Sequence, residues 1–406
     1  EKPKSTTYCH GDTAYGGAFE NCTSLQSIVI PKSVEDIEAA AFFSSGLKSI
    51  TFENGCKIEK LCGLSFYQSG VGHKRIGAFS STQLETVTIP ENVTEIQDAA
   101  FADCQKLMSV DFSKSKSLKI IGGSLSEYND DYYNTFGYPS GAFYYCTGLQ
   151  RLDIPSSVEV IQAGAFSGCS GLVSIQFEED SRLSELPGSM LRFDTGVADG
   201  KVGVVGAFSD CSSITEITIP ASVRTVRAGA FCGCTSLTNV SFAEGSNCEE
   251  ISGALYTYGR FSFSFGAFSG TNITKMVLPS SLKIVSSYAL SGMTYLTSIR
   301  LESGGNVEFS SNCCMCGNST TYGQTRKLSE IDASEASFSA GTRSFACGNS
   351  YCPISIVKIG SIRPPACAPD AFGGGGGLTL YVPTENSVEY YKQAEGWNRF
   401  SKILPL

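Results

Sequence analysis

The stretch Ala142–Ile161, AFYYCTGLQRLDIPSSVEVI, recurs along the chain. As spacing it is A-F-x2-C-x2-L-x2-L-x-I-P-x2-V-x2-I. Copies that keep the proline start at Ala18, Ala78 and Ala207, with Pro31, Pro90 and Pro220; a weaker copy at Ala267 carries Pro279. A sister form without the proline starts at Ala41, Ala100, Ala165 and Ala230. Self-similarity at a period of roughly 20 to 50 residues is the signature of a solenoid.

In L-x2-L-x-I the last two apolar residues alternate with polar ones, as in a half-buried strand. Leu152 and Ile154 should point inward, Arg151 and Asp153 outward. Pro155 ends the strand, since it has no N–H for the ladder. Val158 and Ile161 form a second inward pair on the return path. Gly164 with Ala165–Phe166 turns the chain into the next coil. A lone coil buries too few apolar side chains to offset the entropy of ordering it. Coils must therefore stack and share a core.

The Ala-Phe marker falls at Ala18, Ala41, Ala78, Ala100, Ala142, Ala165, Ala207, Ala230 and Ala267, and as Ala-Leu at Ala289. The steps are 23, 37, 22, 42, 23, 42, 23, 37 and 22 residues, so the repeating unit is a pair of coils. The extra length always falls just before the next Ala-Phe, within Leu61–Gly77, Ile121–Gly141, Leu186–Gly206 and Ile251–Gly266. Each insert has a Gly soon after its start (Gly63, Gly122, Gly188, Gly253), and each ends in Gly. Three are rich in aromatics. Phe66 and Tyr67 sit in the first, Tyr128, Tyr132, Tyr133, Phe136 and Tyr138 in the second, and Tyr256, Tyr258, Phe261, Phe263 and Phe265 in the fourth. Insertions at one coil position project from one side of a solenoid.

After Leu301 the pattern loosens, though coils can be traced through Leu328–Ile331, Phe345, Ile354–Ile359 and Ala371–Phe372. A helix is expected near Thr384 to Glu395, with Val388, Tyr391 and Lys392 on one face. Together with Trp397, Phe400 and Ile403 it should cover the open end of the stack. The expected fold is a repeat solenoid, a leucine-rich-repeat-like right-handed superhelix. It is β-rich with short parallel strands and has little regular helix besides the C-terminal capping helix. Residues 1–406 read as one domain: a lead-in over 1–17, regular paired coils over 18–300, degenerate coils over 301–380 and a cap over 381–406.

The net charge of -9 argues against nucleic acid as partner, since phosphate binding needs a basic face. No run of about 18 apolar residues is present, so no transmembrane segment is expected. Neither is a signal peptide; Glu1 to Thr7 read as a processed or trimmed end. Of the 17 cysteines, Cys22, Cys104, Cys146, Cys169, Cys211 and Cys234 fill one motif slot, which suits small buried core fillers. Cys313, Cys314, Cys316, Cys347, Cys352 and Cys367 cluster later and are open to disulfide pairing, which would suit an exported protein. Zinc is the weaker reading there, because no nearby His supports it.

The stretches IPSSVEVIQAGAFSGCSGL (154–172) and IPASVRTVRAGAFCGCTSL (219–237) resemble the BspA-type leucine-rich repeat family. The ending, PPACAPDAF (364–372) and LTLYVPTENSVEYYKQAEGW (378–397), is similar to the family's terminal coil and capping helix. The resemblance implies an exported or surface-anchored protein, extracellular or at the cell surface. Some members of the family are adhesins for host matrix proteins or cells. The long inserts depart from the plain family repeat.

Catalytic chemistry finds little to work with. His10 and His73 are the two histidines, one in the lead-in and one in an insert, and no triad arrangement surrounds either. The paired carboxylates Glu178–Glu179, Asp130–Asp131 and Glu249–Glu250 share no spacing. No phosphate loop or calcium loop appears, so no cofactor and no metal is expected. Two surfaces remain. The outward strand positions, from Ser27 and Val29 to Lys275 and Val277, are small and hydroxylated and lack the aromatic anchors of binding hot spots. The inserts offer the alternative: a tyrosine-rich ridge for a protein or glycan partner, with Tyr128, Tyr132, Tyr133, Phe136, Tyr138, Tyr256, Tyr258 and Phe261 as the contact candidates. The plain alternative is that these rings pack on one another to hold the loops down. The expected protein is a monomeric, non-enzymatic binding or adhesion protein; a cell-envelope spacer without a ligand is the second reading.

Overall fold

The computed structural model describes residues 16–68, 72–122, 140–193, 201–258, 261–314, 327–346, 354–373 and 377–406, with the backbone alone near the hairpin ends. Each coil contributes a short strand to a front ladder. Arg151–Ile154 alternates as the motif requires: Leu152 and Ile154 are buried, Arg151 and Asp153 exposed. The strand stops before Pro155. Parallel partners lie one coil on: Ser27–Ile30 with Ser49–Phe52, Thr86–Thr88 with Ser109–Asp111, Arg151–Ile154 with Ser174–Phe177, Glu216–Ile219 with Asn239–Phe242, and Lys275–Leu278 with Ser298–Leu301. All five pairings join the two coils of one pair. Across the insert-bearing junctions the front ladder is reduced, among the described residues, to a single pair, Arg151 with Ser109. From Lys275 onward it runs unbroken through Glu330–Ala333, Ile356–Ile359 and Thr379–Val382 to Lys402–Pro405.

A second ladder runs along the return path. Lys60–Leu61, Glu95–Ile96, Ile120–Ile121 and Val160–Ile161 form its first part. Its second part runs from Glu185–Leu186 through Thr225–Val226, Glu250–Ile251 and Ile284–Val285 to Asn306–Phe309 and Ser337–Ala340. This ladder does cross the insert junctions, so it holds pairs of coils together where the front ladder lapses.

Phenylalanine forms the third row. The rings of Phe19, Phe42, Phe79, Phe101, Phe143, Phe166, Phe208, Phe231 and Phe268 stack in file, each 5.1–5.6 Å from the next and within 13° of parallel. Those from Phe42 onward are buried. The backbone beside them is tied coil to coil: Phe143 N–H donates to Ala165 O (2.8 Å) and Phe166 N–H to Ala207 O (2.9 Å). Two residues after each Phe the chain turns through positive φ, at Asn21, Ser44, Ser81, Asp103, Tyr145, Gly168, Asp210, Gly233 and Gly270. Asn, Asp, Ser and Gly suit that left-handed corner; a tyrosine does not.

The slot cysteines behave as core fillers with a weak donor. The thiols of Cys104, Cys146, Cys169, Cys211 and Cys234 each donate to the carbonyl of a Phe in the coil before, at 3.0–3.2 Å. Thr82 and Thr271 occupy the same slot and donate to Phe79 O and Phe268 O. Burial raises the thiols, to about 11 for Cys104 and about 12 for Cys169. Two expectations need correction. Cys22, expected as a buried filler, is exposed in the first described coil. Cys313, open to disulfide pairing by sequence, is a buried free thiol at the alanine position of the Ala-Phe corner: its carbonyl accepts from Leu290 N–H, as Ala165 O accepts from Phe143, and its thiol donates to Val285 O at 3.1 Å. Cys367 is an unpaired, half-buried thiol, and Cys314 is buried. Cys316, Cys347 and Cys352 lie outside the described residues.

The far end closes as expected. The helix Glu385–Gln393 is capped by Thr384, whose hydroxyl accepts from Ser387 N–H at 3.2 Å. Tyr391 and Trp397 are fully buried, and each keeps its polar handle satisfied: Tyr391 OH donates to Ser361 O (2.9 Å), Trp397 Nε1–H to Pro365 O (2.8 Å). Around Trp397 the rings of Phe338 and Tyr391 meet it edge-on, Phe372 is tilted and Phe400 is stacked, at 5.4–6.0 Å. Lys392, expected on the inner face, is exposed and pairs with Glu389 at 2.8 Å; the buried stripe runs through Ser387, Val388 and Tyr391 instead. A position one residue after Tyr391 has rotated about 100° off that stripe.

Candidate functional site

The three inserts that fall within the described residues are antiparallel hairpins: Gly63–Gln68 with Gly72–Gly77, Gly188–Phe193 with Lys201–Gly206, and Gly253–Tyr258 with Phe261–Gly266. All open from the same place in the coil, between a second-ladder strand and the next Ala-Phe. Their bounding glycines are required by close approach. A Cβ on Gly77 would sit 1.9 Å from Ala99 O, on Gly206 2.1 Å from Gly229 O, and on Gly188 1.9 Å from Ala228 O. The hairpin roots thus rest on the backbone of the following coil. The third and fourth roots also share a small apolar cluster of Val204, Cys232 and Phe265, with Phe263 beside it. A cleft of about 550 Å³ lies between them, lined by Gly188, Ser189, Arg227, Glu250, Ser252 and Gly253 among others. Its charges are already matched. Arg227 pairs with Glu185 at 2.8 Å, and Glu250 Oε1 accepts from Ser252 Oγ (2.8 Å) and Ser286 Oγ (2.6 Å).

The outward strand face is as plain as its sequence. Its polar groups satisfy one another: between neighbouring coils Thr88 Oγ1 donates to Asp111 Oδ2 (3.2 Å) and Thr218 bonds Ser241 (3.0 Å), and within one strand Arg151 Nε donates to Asp153 (3.0 Å). The backbone N–H of Ser113, with the Ser113 hydroxyl, holds the Asp111 carboxyl below its usual value. Nearer the cap, Lys358 bridges Glu330 (2.8 Å) and Asp332 (3.4 Å), and its hydrogen bond to Glu330 raises the ammonium.

The ring pair with the best-defined surroundings lies elsewhere, in the turn just after the second insert, one ring half-buried and one exposed. Tyr144 and Tyr145 have ring centroids 5.0 Å apart. The Arg75 guanidinium, from the first hairpin, lies 4.1 Å over the Tyr144 ring, and its Nη1 is 3.9 Å from Asp103 Oδ2. Tyr145 is 47% exposed. Sequence reasoning passed over this pair because two aromatics between Phe143 and Cys146 read as part of the core motif. The available signal was the departure at the turn slot, Tyr145 where other coils carry Asn, Ser, Asp or Gly.

Of the expected contact residues, Tyr128, Tyr132, Tyr133, Phe136 and Tyr138 lie outside the described residues. Tyr256, Tyr258 and Phe261 fall on the fourth hairpin, where the register sets Tyr256 opposite Phe263 and Tyr258 opposite Phe261. Among the described residues, no group of three or more His, Cys, Asp or Glu is arranged to hold a metal. No described helix is long and apolar enough to cross a membrane.

Stacked parallel strands, a repeated Ala-Phe corner and a helical cap define a leucine-rich-repeat solenoid. The family model for the BspA type leucine rich repeat region matches residues 12–73, 75–129, 138–190, 205–260 and 261–361, most of the chain. The chain belongs to the BspA-type leucine-rich repeat family. No curated protein matches it in sequence. Among solved structures it is similar to a leucine-rich repeat protein from Bacteroides ovatus (16% identity, 96% of this chain and 77% of that one, TM-score 0.44). It is also similar to the pneumococcal vaccine antigen PcpA (16%, 97% and 91%, TM-score 0.38). A third is a leucine rich cell surface protein from Faecalibacterium prausnitzii (16%, 87% and 88%, TM-score 0.30).

Proposed function

We propose that the chain is a non-enzymatic binding or adhesion protein displayed outside the cell, in which the solenoid is a scaffold and the hairpin-bearing flank makes the contact. The observation that carries this reading is the equivalent placement of the hairpins. Three described inserts leave the same corner of the coil, each rooted by glycines against the next coil, while the strand face spends its polar groups on itself. Loops held by a rigid scaffold are where binding function concentrates. The family's exported members support the extracellular placement, and one continuous apolar cluster from Ile30 to Phe400 lets residues 18 onward act as one stacked domain.

The test is an array of host matrix proteins and glycans probed with the intact chain. Replacing Tyr132, Tyr133, Tyr256 and Tyr258 together by Ser should abolish the binding and leave the melting curve nearly unchanged. Binding that survives the four changes removes these insert tyrosines as the contact.

A further inference from the structure

The turn slot two residues after each Phe has positive φ in every described coil from Asn21 to Gly270, and eight of its nine occupants are Asn, Ser, Asp or Gly. Tyr145, at φ 58°, is the exception. A large ring held in the left-handed region is a strain that the surrounding structure must sustain, and such strain concentrates at functional positions. The ring is also fixed in place. It lies across Gly168 of the next coil, where a Cβ would come within 2.5 Å of Tyr145 Cδ2. One side of the ring is thus laid on backbone while nearly half of the residue stays open to solvent.

The neighbours supply both kinds of polar partner. Along the turn row Asp103 precedes Tyr145 by one coil, and Asp210 follows it by two, with Gly168 leaving the gap between. Burial raises both carboxyls, Arg75 partly offsetting this at Asp103. No ion pair to Asp210 is formed among the described residues. Arg75 adds a guanidinium held over Tyr144. A preset ring face, flanked by acceptors and by one donor group, matches a pyranose. The C–H face of the sugar stacks on the ring, and its hydroxyls donate to carboxylates and accept from the guanidinium. A cationic peptide fits less well, because Arg75 already occupies the cation position at the aromatic pair.

We propose that Tyr145, with Tyr144, Asp103, Asp210 and Arg75, forms a binding site for a neutral saccharide. This rests on the reading of the hairpin-bearing flank as the contact surface and names the ligand class for its central part.

The test uses the intact chain and soluble neutral polysaccharides (a mannan, a glucan and a galactan), with a lysine-rich peptide and the matrix proteins in parallel. At least one polysaccharide should bind. Tyr145→Gly should weaken that binding by roughly tenfold or more, the loss expected of an aromatic anchor. It should also raise the melting temperature, because glycine relieves the left-handed strain. Tyr145→Phe should keep most of the affinity, and Asp210→Asn should lower it. No saccharide binding, preference for the lysine-rich peptide, or saccharide binding undiminished in Tyr145→Gly would overturn the site. Saccharide binding lost with the four hairpin tyrosines but kept in Tyr145→Gly sinks this site and leaves the broader reading standing. Binding that survives both sets of changes sinks both.

Discussion

Between the coils that begin at Ala142 and Ala165, four residues of front strand pair in register; between those that begin at Ala100 and Ala142, one pair remains. The first junction joins two coils of a pair, and the second carries an insert. Yet the Phe stack does not register the difference: Phe143 lies 5.2 Å from Phe166 and 5.1 Å from Phe101. The second ladder crosses the insert junction as well, Val160–Ile161 on Ile120–Ile121. An insert therefore relaxes one face of the coil, while apolar packing and the remaining backbone bonds hold the other two. Loops can be long here because the corner they leave from is not what keeps the coils together.

The largest expected effect comes from the shared element. Phe166→Ala removes a ring stacked between Phe143 and Phe208 and should cost about 3–5 kcal/mol in chemical denaturation. A cost below about 1 kcal/mol would mean that the stack is not common support for both kinds of junction. Next comes the insert root. Gly206→Ala drives a Cβ to 2.1 Å from Gly229 O and should cost about 1–3 kcal/mol by crowding. Gly55→Ala, at φ 75° with open space around it, serves as the control for backbone conformation alone and should cost less. Equal losses at the two positions would show that the root glycine does not depend on contact between coils.

Smaller effects probe the thiols. Cys169→Thr should change stability by less than about 1 kcal/mol, since threonine already serves the slot at Thr82 and Thr271. The pH dependence has a definite sign. The folded thiols titrate above their ordinary value of 9.0, Cys104 near 11 and Cys169 near 12. Below pH 9 both folded and unfolded chains keep them neutral. As pH rises from 9 toward 12 the unfolded chain ionises first, so stability should fall across that window. Urea midpoints at pH 8, 9.5 and 11 would show it; a midpoint unchanged at pH 11 would mean that these thiols are open to water.

Recurrence explains how much of this was legible beforehand. The Ala-Phe corner, the cysteine slot and the glycines around each insert repeat because every coil meets the same neighbours, and their spacing alone located them. What did not repeat was harder to read. Cys313 sits in a degenerate coil where cysteines replace the Ala-Phe marker, so its place at the alanine of that corner was hidden among nearby cysteines. Lys392 was assigned to the inner face by spacing, one residue past the buried stripe. Tyr145 was masked by Phe143 and Cys146 on either side, because the left-handed turn between them leaves no mark in hydrophobic pattern. The lapse of the front ladder at insert junctions was also invisible, since strand residues there look the same at both kinds of junction.

The most direct test is to convert one junction into the other. Val226 is joined to Ala230 by Arg-Ala-Gly, whereas Leu186 reaches Ala207 through the whole third hairpin. Replacing residues 187–206 by Arg-Ala-Gly should give a chain whose thermal melt, followed by far-ultraviolet circular dichroism, stays cooperative with a midpoint within a few degrees of the parent. A chain that loses its fold, or melts in two separate halves, would show that the hairpin is a structural rung and not a loop carried by the stack.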